Sequence, residues 1–422
     1  MPHGALWPAV WRPSEGASKG FRRGTHRVVA PSETVHRLWG LRAAFGITRL
    51  ADVTGLDRIG IPVMMACRPN ARTLAVAQGK GLSREAAQAS ALMESVECWH
   101  AEHFEPVLRL GTAAEMRRHG EVVDIAGLPL LPGAPPWDRL CLLWVEGLDL
   151  LSQRRAWLPY EVVGLNATEP SPLPRPSFLW SSDGLAGGNH ILEAISHALC
   201  ELVERDAVRL WQLRGGAART ETRLDPSTVD DAGCCAVWEA FLRAGMAVGV
   251  WDATSDVGIP CFVCVLMERE RDPLHPLYAA GGMGCHPDRG VALLRALTEA
   301  AQSRLTAISG ARDDLTRPFY RQSAEVDRWQ RIQDAVVAEG GSRDFRRSTG
   351  WWAETVDEDV RRELTCLRAA GLRECIVVDM SRPDLGVPVV RVVVPGLERW
   401  VPGEVPGLPL GERGRRACGD RP

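Results

Sequence analysis

Residues 183–206 read DGLAGGNHILEAISHALCELVERD, a glycine-rich segment followed by an apolar helix that carries Glu193, Glu201 and Glu204. Positions three or four apart share one face of an α-helix, and Glu193 lies about three turns before Glu204 on that face. The remaining helix positions are mainly alanine, leucine, valine and isoleucine, as in a buried helix. Carboxylates on such a helix are costly unless they are paired or bound to a metal ion.

The same arrangement occurs twice more, after the glycine-rich segments QGKG at 78–81 and GGMG at 281–284. Helices are predicted from Ser83 to His100, from Leu192 to Leu210 and from Asp288 to Ala307. The matching polar positions of the first and third helices are Glu94, Glu97, Arg295, Glu299 and Gln302. We interpret the glycine-rich segments as loops that bind anions through free backbone N–H groups at helix N-termini. A single Glu-x-x-Glu pair most often faces solvent on a helix surface. Three helices with polar residues at matching positions favour a shared site instead.

Carboxylates that converge on one cavity repel each other unless a cation lies between them. Mg²⁺ is a hard cation that prefers oxygen ligands, and it can bridge carboxylates to phosphate groups. Anion-binding segments beside a carboxylate cluster therefore predict a site for a nucleoside triphosphate with Mg²⁺. The sequence contains neither a Walker A motif nor the protein kinase motif set.

Strand–turn–strand repeats indicate the fold class. They lie at 52–63, 252–260 and 379–390, and each has Asp and Ser or Thr at the turn, then Gly, an apolar residue and Pro before a strand. A looser hairpin is predicted from Leu142 to Val163. Because the hairpins are antiparallel and alternate with helices, the sequence predicts an α+β protein with mixed and antiparallel sheets packed with helices.

The composition narrows the function classes. The chain of 422 residues has a net charge of −3, which gives no reason to expect a nucleic acid or a membrane as a partner. It has no apolar run that would span a bilayer and no signal peptide, so its 12 cysteines are expected to be reduced thiols of a cytoplasmic protein. Cys261 and Cys264 form a CxxC without a second ligand pair at zinc spacing, and we interpret them as part of a buried strand.

The motifs around the three helices resemble those of the YcaO family, over a region from Gly24 to Glu398. The matching segments are Gly24–Arg27, Thr54–Val63, Gly79–Gly81 with Ser90–Glu97, Gly184–Asp206, Arg295–Arg304 with Gly310–Asp314, and Val394–Glu398. The resemblance implies a YcaO-type fold and an enzyme that uses ATP and Mg²⁺ to phosphorylate backbone amides. It also implies one catalytic domain at 24–400, between a weakly ordered segment at 1–23 and a Pro/Gly/Arg-rich tail at 401–422.

The resemblance implies roles for the shared polar residues. Mg²⁺ or metal-bound phosphate would be held by Glu94, Glu97, Glu193, Glu201, Glu204 and Glu299. Nucleotide or phosphate would be contacted by Lys80, Asn189, Arg205, Arg295 and Gln302. From the residues alone, Lys80 is as readily a solvated lysine, and Gln302 a helix-surface amide. No general base is singled out among His26, His190, His197 and His286.

Three features depart from the family pattern. Cys98 stands where an arginine often follows Glu97. His190 stands where a small hydroxyl residue is common, and we interpret it as an N-terminal helix residue rather than a substrate contact. The chain ends without the Pro-x-Pro-x-Pro tail of many azoline-forming relatives. Together with the segment Gly24–Arg27, this end is more similar to members that work beside a TfuA-type partner and install thioamides.

The resemblance implies two products from one activated amide. Attack by a Cys, Ser or Thr side chain of the substrate gives an azoline, and attack by external sulfide gives a thioamide, the outcome we favour. The partners expected are a precursor peptide or protein substrate and a TfuA-like or leader-peptide-binding E1-like protein, and a homodimer is a further expectation. Two other hypotheses stand beside these. A non-catalytic nucleotide-binding accessory factor for ribosomal protein methylthiolation conflicts with the intact carboxylate set, and a metal-dependent nuclease conflicts with the lack of a basic patch.

Overall fold

The computed structural model describes residues 17–134, 137–168, 177–270, 279–323, 325–337, 341–400 and 408–419. Within those ranges the helices are α1 (Pro31–Gly40), α2 (Arg84–Glu102), α3 (Ala113–Met116), α4 (Ile191–Leu213), α5 (Gly216–Glu221), α6 (Ala232–Arg243), α7 (Arg289–Ser309), α8 (Arg317–Ser323), α9 (Val326–Val337), α10 (Val356–Ala369) and α11 (Glu412–Ala417). The strands are β1 (Arg49–Asp52), β2 (Val63–Cys67), β3 (Val76–Lys80), β4 (Arg109–Gly111), β5 (Glu121–Val122), β6 (Leu142–Asp149), β7 (Arg155–Pro159), β8 (Leu185–Gly187), β9 (Met246–Asp252), β10 (Cys261–Glu268), β11 (Ala280–Cys285), β12 (Ile376–Asp379) and β13 (Val389–Val393).

The strands of the described ranges form three sheets. The first has the order β1-β2-β3 and the second the order β11-β10-β9. The third has seven strands in the order β5-β7-β6-β12-β13-β8, with β4 also paired to β6. β5 and β7 pair in parallel, and the other pairs are antiparallel. The predicted α+β fold with mixed and antiparallel sheets is confirmed.

The predicted hairpins are present, and the three repeats share one turn geometry. β1 and β2, β9 and β10, β12 and β13, and β6 and β7 are the hairpin pairs. In each repeat the aspartate that ends the first strand accepts a hydrogen bond from the N–H two residues on, at 3.0 Å for Asp52, 3.1 Å for Asp252 and 2.9 Å for Asp379. The following glycine has a positive φ, 80° at Gly60, 80° at Gly258 and 65° at Gly386, which a glycine adopts without steric cost.

The glycine-rich segments lie largely in strands, which corrects the prediction that they are loops: β3 and β11 contain most of the first and third segments, and β8 contains Leu185–Gly187 of the second. Gly79 belongs to β3 and Gly282 to β11. A Cβ on Gly79 would lie 2.0 Å from the backbone N of Ala91, and one on Gly282 would lie 2.1 Å from the carbonyl O of Ala296. Glycine is required there because each strand runs in backbone contact with the helix that follows it.

The three helices predicted from the repeated motif each lie between two sheets. α2 packs on β2 and β3 of the first sheet and on β8 of the third. α4 packs on β8 and β13 of the third sheet and on β10 and β11 of the second. α7 packs on β10 and β11 of the second sheet and on β2 and β3 of the first. Each helix thus joins the sheet of its own preceding strand to another sheet, so the three helices connect the three sheets in a cycle.

Both ends of the described chain contact this body. Lys19 forms a buried ion pair with Asp359 of α10 at 2.5 Å, and Arg413 of α11 lies 2.8 Å from Asp206 of α4. Residues 1–16 of the N-terminal segment and residues 401–407 and 420–422 of the tail lie outside the described ranges, so the boundaries at 24 and 400 stay a prediction. None of the helices in the described ranges is both long and apolar enough to cross a membrane.

Candidate functional site

Glu97, Glu204 and Glu299 of the three central helices form a ring of contacts, in which each glutamate reaches from its own helix to a strand of another sheet. The contacts join Glu97 of α2 to the Gly187 N–H of β8 (2.6 Å), Glu204 of α4 to the Cys285 N–H of β11 (3.0 Å), and Glu299 of α7 to the Lys80 Nζ of β3 (2.8 Å). Each helix therefore places one carboxylate on a strand of the next sheet. The side chains predicted to share a site come together because the packing of helices and sheets is cyclic.

A second set of contacts ties the first glutamate of each motif to the strand or turn that precedes its own helix. Glu201 accepts from the Gly184 N–H at 3.0 Å, and Glu299 accepts from the Met283 N–H at 3.3 Å. The third helix has Gln302 at the second motif position, and among the described residues its buried Oε1 has no hydrogen-bond partner. The Gln302 side-chain oxygen thus forms no hydrogen bond with the other site residues of the described ranges.

Burial makes ionisation costly for several of these carboxylates. Burial raises the pKa of Glu97 to about 8, and the negative charges of Glu94 and Glu201 add to this effect. Burial also raises the pKa of Glu94, and it raises that of Glu204 to about 7 in spite of Arg205. Burial acts on Glu299 as well, but Lys80 and Arg205 outweigh it and lower the pKa of Glu299. A further cation near Glu97 and Glu204 would stabilise their ionised forms.

Arg205 lies at the centre of the carboxylate cluster. Its Nη1 is 3.1 Å from Glu204 Oε1, its Nη2 is 3.3 Å from Glu201 Oε1, and its Nε is 3.6 Å from Asp183 Oδ1. Burial opposes its charge, but these carboxylates raise the pKa of Arg205 above its ordinary value. The ring of Trp400 faces the guanidinium at 5.7 Å. Arg205 therefore neutralises part of the negative charge of α4.

Glu193 and Asn189 lie at the start of α4 and contact the N-terminal part of the chain. Glu193 accepts from the Asn189 N–H at 2.7 Å and from the Val28 N–H. Asn189 Oδ1 accepts from Thr34 Oγ1 at 3.0 Å and from Arg37 Nη2 at 3.3 Å. These contacts hold the segment around Val28 and helix α1 against the candidate site.

A small cavity beside Glu193 has a wall rich in basic side chains. The lining includes Lys19, His26, Arg27, Glu193, His197, Cys200, His286 and Arg295. The two ring nitrogens of His197 each lie 3.2 Å from a guanidinium nitrogen, Nδ1 from Arg27 and Nε2 from Arg295. Burial, Arg295 and Arg27 lower the pKa of His197 well below its ordinary value. A neutral imidazole accepts only one hydrogen bond, so one of these contacts sets donor against donor, an arrangement that an anionic ligand would relieve.

Three residues of this site were not assigned from the sequence. Arg27 lies in the segment Gly24–Arg27, which resembles the family and so carried a usable signal. His197 is four positions after Glu193 on α4, a spacing that predicts a shared face. Lys19 has no comparable signal, because its contact with Asp359 joins distant parts of the chain. His190 is the N-cap residue of α4, with Nδ1 accepting from the Leu192 N–H at 3.2 Å, as the sequence predicted.

The carboxylates suit a metal ion that is shared with a phosphate ligand. No group of three or more carboxylate, imidazole or thiol side chains within the described ranges would hold a metal ion by itself. Mg²⁺ is usually bound through one or two carboxylates, with phosphate oxygens and water completing its coordination. The glutamates of the ring supply the first kind of ligand, and the arginines of the adjoining cavity attract the second. The residues present therefore fit a nucleotide with Mg²⁺.

A family model described as YcaO cyclodehydratase, ATP- and Mg²⁺-binding, matches residues 78–398 of the chain. The chain belongs to the YcaO family. An uncharacterized protein in the tfuA 3′ region of Rhizobium leguminosarum bv. trifolii is 40% identical to it over 386 residues, which cover 90% of each chain. An uncharacterized protein of Methanothermobacter thermautotrophicus is 35% identical over 391 residues, which cover 88% of this chain and 95% of the relative.

Solved structures share the fold of this YcaO protein. The structure of YcaO from Methanopyrus kandleri, bound with AMPPCP and Mg²⁺, is 25% identical with a TM-score of 0.69, and the match covers 90% of this chain and 95% of that one. A heterocyclase in complex with substrate and cofactor is 22% identical with a TM-score of 0.75 over 94% of this chain, which spans 55% of the heterocyclase. The family membership and the cofactors ATP and Mg²⁺ predicted from the sequence are confirmed.

Proposed function

We propose that this YcaO protein uses ATP and Mg²⁺ to activate a backbone amide of a ribosomally made peptide or protein, and that sulfide then replaces the amide oxygen to give a thioamide. The observation that carries the proposal is the ring of Glu97, Glu204 and Glu299, which places carboxylates of three helices beside a basic cavity. The relative in the tfuA 3′ region supports the thioamide product. The catalytic domain proposed is 24–400, in a cytoplasmic protein.

The polar residues are assigned by charge. Mg²⁺ and metal-bound phosphate are assigned to Glu94, Glu97, Glu193, Glu201, Glu204 and Glu299. Nucleotide and phosphate contacts are assigned to Lys80, Asn189, Arg205, Arg295 and Gln302. Arg27 joins the second group because it faces the same histidine as Arg295.

The reaction requires the amide oxygen to leave as phosphate. ATP supplies the phosphoryl group, and Mg²⁺ neutralises its charge. Arg27 and Arg295 would orient the phosphates from the wall of the cavity, and the motif glutamates would hold the cation. Sulfide adds to the amide carbon, the amide oxygen takes the phosphoryl group, and phosphate leaves with that oxygen. Most of the rate enhancement is expected from the positioning of the reactants.

Two other candidate functions stand beside the thioamide proposal. The heterocyclase neighbour favours an azoline, which forms when a Cys, Ser or Thr side chain of the substrate attacks the same amide carbon. A non-catalytic accessory factor for ribosomal protein methylthiolation would need only to bind nucleotide. The intact set of motif glutamates on α2 and α4, namely Glu94, Glu97, Glu201 and Glu204, argues against this accessory role.

The test is co-expression of this protein with a neighbouring precursor peptide and the neighbouring gene products, followed by intact mass spectrometry of the peptide. Exchange of one oxygen atom for sulfur would support the thioamide, and loss of one water would support the azoline. Nucleotide binding without hydrolysis would support the accessory role. Hydrolysis of ATP without a change in the peptide would mean that this peptide is not the substrate. Co-expression with Glu204→Gln in place of the natural protein is the control.

We propose that a TfuA-like or a leader-peptide-binding E1-like protein helps to recognise the substrate, and that the YcaO protein forms a homodimer. The position of the Rhizobium relative beside tfuA supports the first of these partners. The need for this partner protein in substrate recognition is checked by adding the purified partner to the peptide assay. Full turnover of the peptide by the single purified chain would refute it.

A further inference from the structure

Two side chains of α1 contact one oxygen of Asn189, and none of the roles proposed above uses them. Thr34 and Arg37 lie three positions apart, on one face of α1. Thr34 Oγ1 donates to Asn189 Oδ1 at 3.0 Å, and Arg37 Nη2 donates to the same oxygen at 3.3 Å. Thr34 is 4% exposed, so water competes little for its hydroxyl. Helix α1 thus holds Asn189 at the turn between β8 and α4.

These two contacts fix which way the Asn189 amide faces. A guanidinium carries donors only, so the atom that faces Arg37 must be the amide oxygen, and the reverse orientation would set N–H against N–H. Within the described ranges, the Nδ2 group of Asn189 donates to no protein acceptor. Its two N–H groups are therefore left for a ligand, and that ligand has to supply an acceptor atom there.

The backbone of Asn189 is fixed independently of α1. Its N–H donates to Glu193 Oε2 of α4 at 2.7 Å. A Cβ on the preceding Gly188 would lie 2.8 Å from Glu193 Cβ, so this turn packs closely on α4. The torsions of the Asn189 side chain are thus the freedom that Thr34 and Arg37 remove.

Arg37 adds a positive charge behind the amide. Within the described ranges its guanidinium forms one hydrogen bond, to Asn189, and its buried Nε has no partner. Burial lowers the pKa of Arg37, and the negative charge of Glu193 acts against this. A cation beside the amide oxygen polarises the amide, so that its N–H groups become stronger donors. Such donors suit an anionic oxygen, because hydrogen bonds to an ionised acceptor are the strong ones.

We propose that Thr34 and Arg37 are positioning residues, which hold the Asn189 side chain so that its amide group donates to a phosphate oxygen of the nucleotide. The inference rests on the proposed function, in which Asn189 contacts the nucleotide. A side chain that is held before the ligand arrives loses little rotamer freedom on binding. Release of Asn189 from α1 should therefore weaken nucleotide binding about threefold to tenfold, although the groups that touch the nucleotide are unchanged.

The test measures the binding of AMPPCP with Mg²⁺ to the full chain by titration calorimetry, with thermal unfolding of each variant as a check of the fold. Thr34→Val keeps the shape of the side chain and loses the donor, so it should weaken binding about threefold to tenfold. Thr34→Ser keeps the hydroxyl and should bind as the natural protein does. Natural affinity in Thr34→Val, or the same loss in Thr34→Ser as in Thr34→Val, would overturn the proposal.

Arg37→Met should weaken binding over the same range, and it decides the question even where Thr34→Val does not fold, because Arg37 is only half-buried. Arg42→Met is the matched control. Arg42 is exposed just after α1, and its guanidinium donates to the Trp39 carbonyl at 2.9 Å rather than to Asn189. An equal effect of the two arginine variants would mean that positive charge near α1, and not the contact with Asn189, determines the affinity.

A double-mutant cycle with Asn189→Ala shows whether the two residues act through Asn189. Asn189→Ala alone should weaken binding, and the addition of Thr34→Val or Arg37→Met should weaken it no further. A merely structural role of α1 would instead lower the affinity equally in both backgrounds, which would overturn the proposal.

Asn189→Asp tests the direction of the hydrogen bond to the nucleotide. Aspartate keeps an oxygen against Thr34 and Arg37 but has no N–H to donate, so this variant should fold and bind AMPPCP more weakly than Asn189→Ala. Natural affinity in Asn189→Asp would mean that Asn189 accepts from its ligand, contrary to the proposal. Natural affinity in Asn189→Ala would refute the assignment of Asn189 to the nucleotide under the proposed function. A loss in Asn189→Ala beside natural affinity in both α1 variants would refute the positioning role alone.

Discussion

Lys80 Nζ lies 2.8 Å from Glu299 Oε2, and this ion pair joins β3 of the first sheet to α7, which follows the second. The side chains are 21% and 24% exposed, so water screens the pair only in part. Lys80 is therefore tied to the ring of glutamates even without a ligand. A solvated lysine, the alternative that the sequence left open, would have no such partner.

Lys80→Met is expected to lower the free energy of unfolding of the ligand-free protein by about 1–2 kcal/mol, because Glu299 would lose its ion pair and keep only the more distant charge of Arg205. Urea denaturation measures the loss, and a double-mutant cycle with Glu299→Gln isolates the coupling of the pair. Arg154→Met breaks an ion pair with Glu121 whose side chains are 71% and 48% exposed, and it is the control. A loss for Lys80→Met no larger than that of the control would mean that the pair does not hold the ring together.

Glu204→Gln is expected to abolish the binding of ATP with Mg²⁺, because the site loses a carboxylate that faces the cation. The amide oxygen of glutamine can still accept from the Cys285 N–H, so the fold should be retained. Titration calorimetry measures the affinity, and circular dichroism checks the fold. Glu239→Gln, a change at an exposed position of α6 paired with Arg243, is the matched control. Unchanged affinity in Glu204→Gln would remove Glu204 from the metal site.

The raised pKa values predict how stability and ligand binding depend on pH. Burial raises the pKa of Glu97 from 4.5 to about 8 and that of Glu204 from 4.5 to about 7. A carboxyl whose folded pKa is raised contributes stability below its unfolded pKa, and that stability is lost as the pH rises through the folded pKa. Burial lowers the pKa of His26 from 6.5 to about 4, so His26 affects the free energy of unfolding below pH 6.5. Above pH 6.5, the carboxyls determine how this free energy depends on pH.

The ligand-free protein is therefore expected to lose up to a few kcal/mol of stability between pH 6.5 and pH 8. The rise in Tm produced by Mg²⁺ with a non-hydrolysable ATP analogue should grow over the same range, because the ion binds the deprotonated carboxylates. Thermal unfolding at several pH values, with and without the ligand, measures both trends. Glu97→Gln should flatten the first trend. A Tm of the ligand-free natural protein that does not fall with pH would contradict the burial of ionised Glu97.

The sequence predicted the central helices because their signals are local. Ser83 and Asp288 cap α2 and α7 by accepting from the N–H three residues on, and the glutamates recur at helical spacing between them. The aspartate and glycine of each strand–turn–strand repeat also act within a few residues of themselves. Such signals can be recognised from the sequence alone, so the order of helices and hairpins could be predicted without the structure.

The glycine-rich segments show where local signals fail. Glycine is typical of a loop and also of a strand in contact with another backbone, and only the position of the helix distinguishes the two. For Gly282, the helix atom in contact is the carbonyl oxygen of Ala296. The sequence predicts the helix that contains Ala296 but not how that helix packs on the strand. The contacts of His197 with Arg27 and Arg295 were missed for a related reason, since they depend on how three distant segments pack.

Arg413 holds helix α11 against the body of the molecule. Its Nη2 lies 2.8 Å from Asp206 Oδ2, and the Asp206 side chain is fully buried in α4. Burial raises the pKa of Asp206, while its hydrogen bonds and ion pair with Arg413 act against this. The described part of the tail is therefore fixed by a cation that reaches a buried carboxylate next to Arg205 of the candidate site.

Arg413→Ala is expected to lower the free energy of unfolding by about 3 kcal/mol, because it leaves Asp206 buried without its cation. It should also make the segment around α11 more susceptible to limited proteolysis, since the pair helps to fix α11 to α4. Arg416→Ala, which breaks a solvent-exposed pair with Glu412, is the control and should cost about 0.5 kcal/mol or less. Urea denaturation and proteolysis of the two variants measure the difference. Equal stability and equal cleavage would mean that the tail docks independently of Asp206.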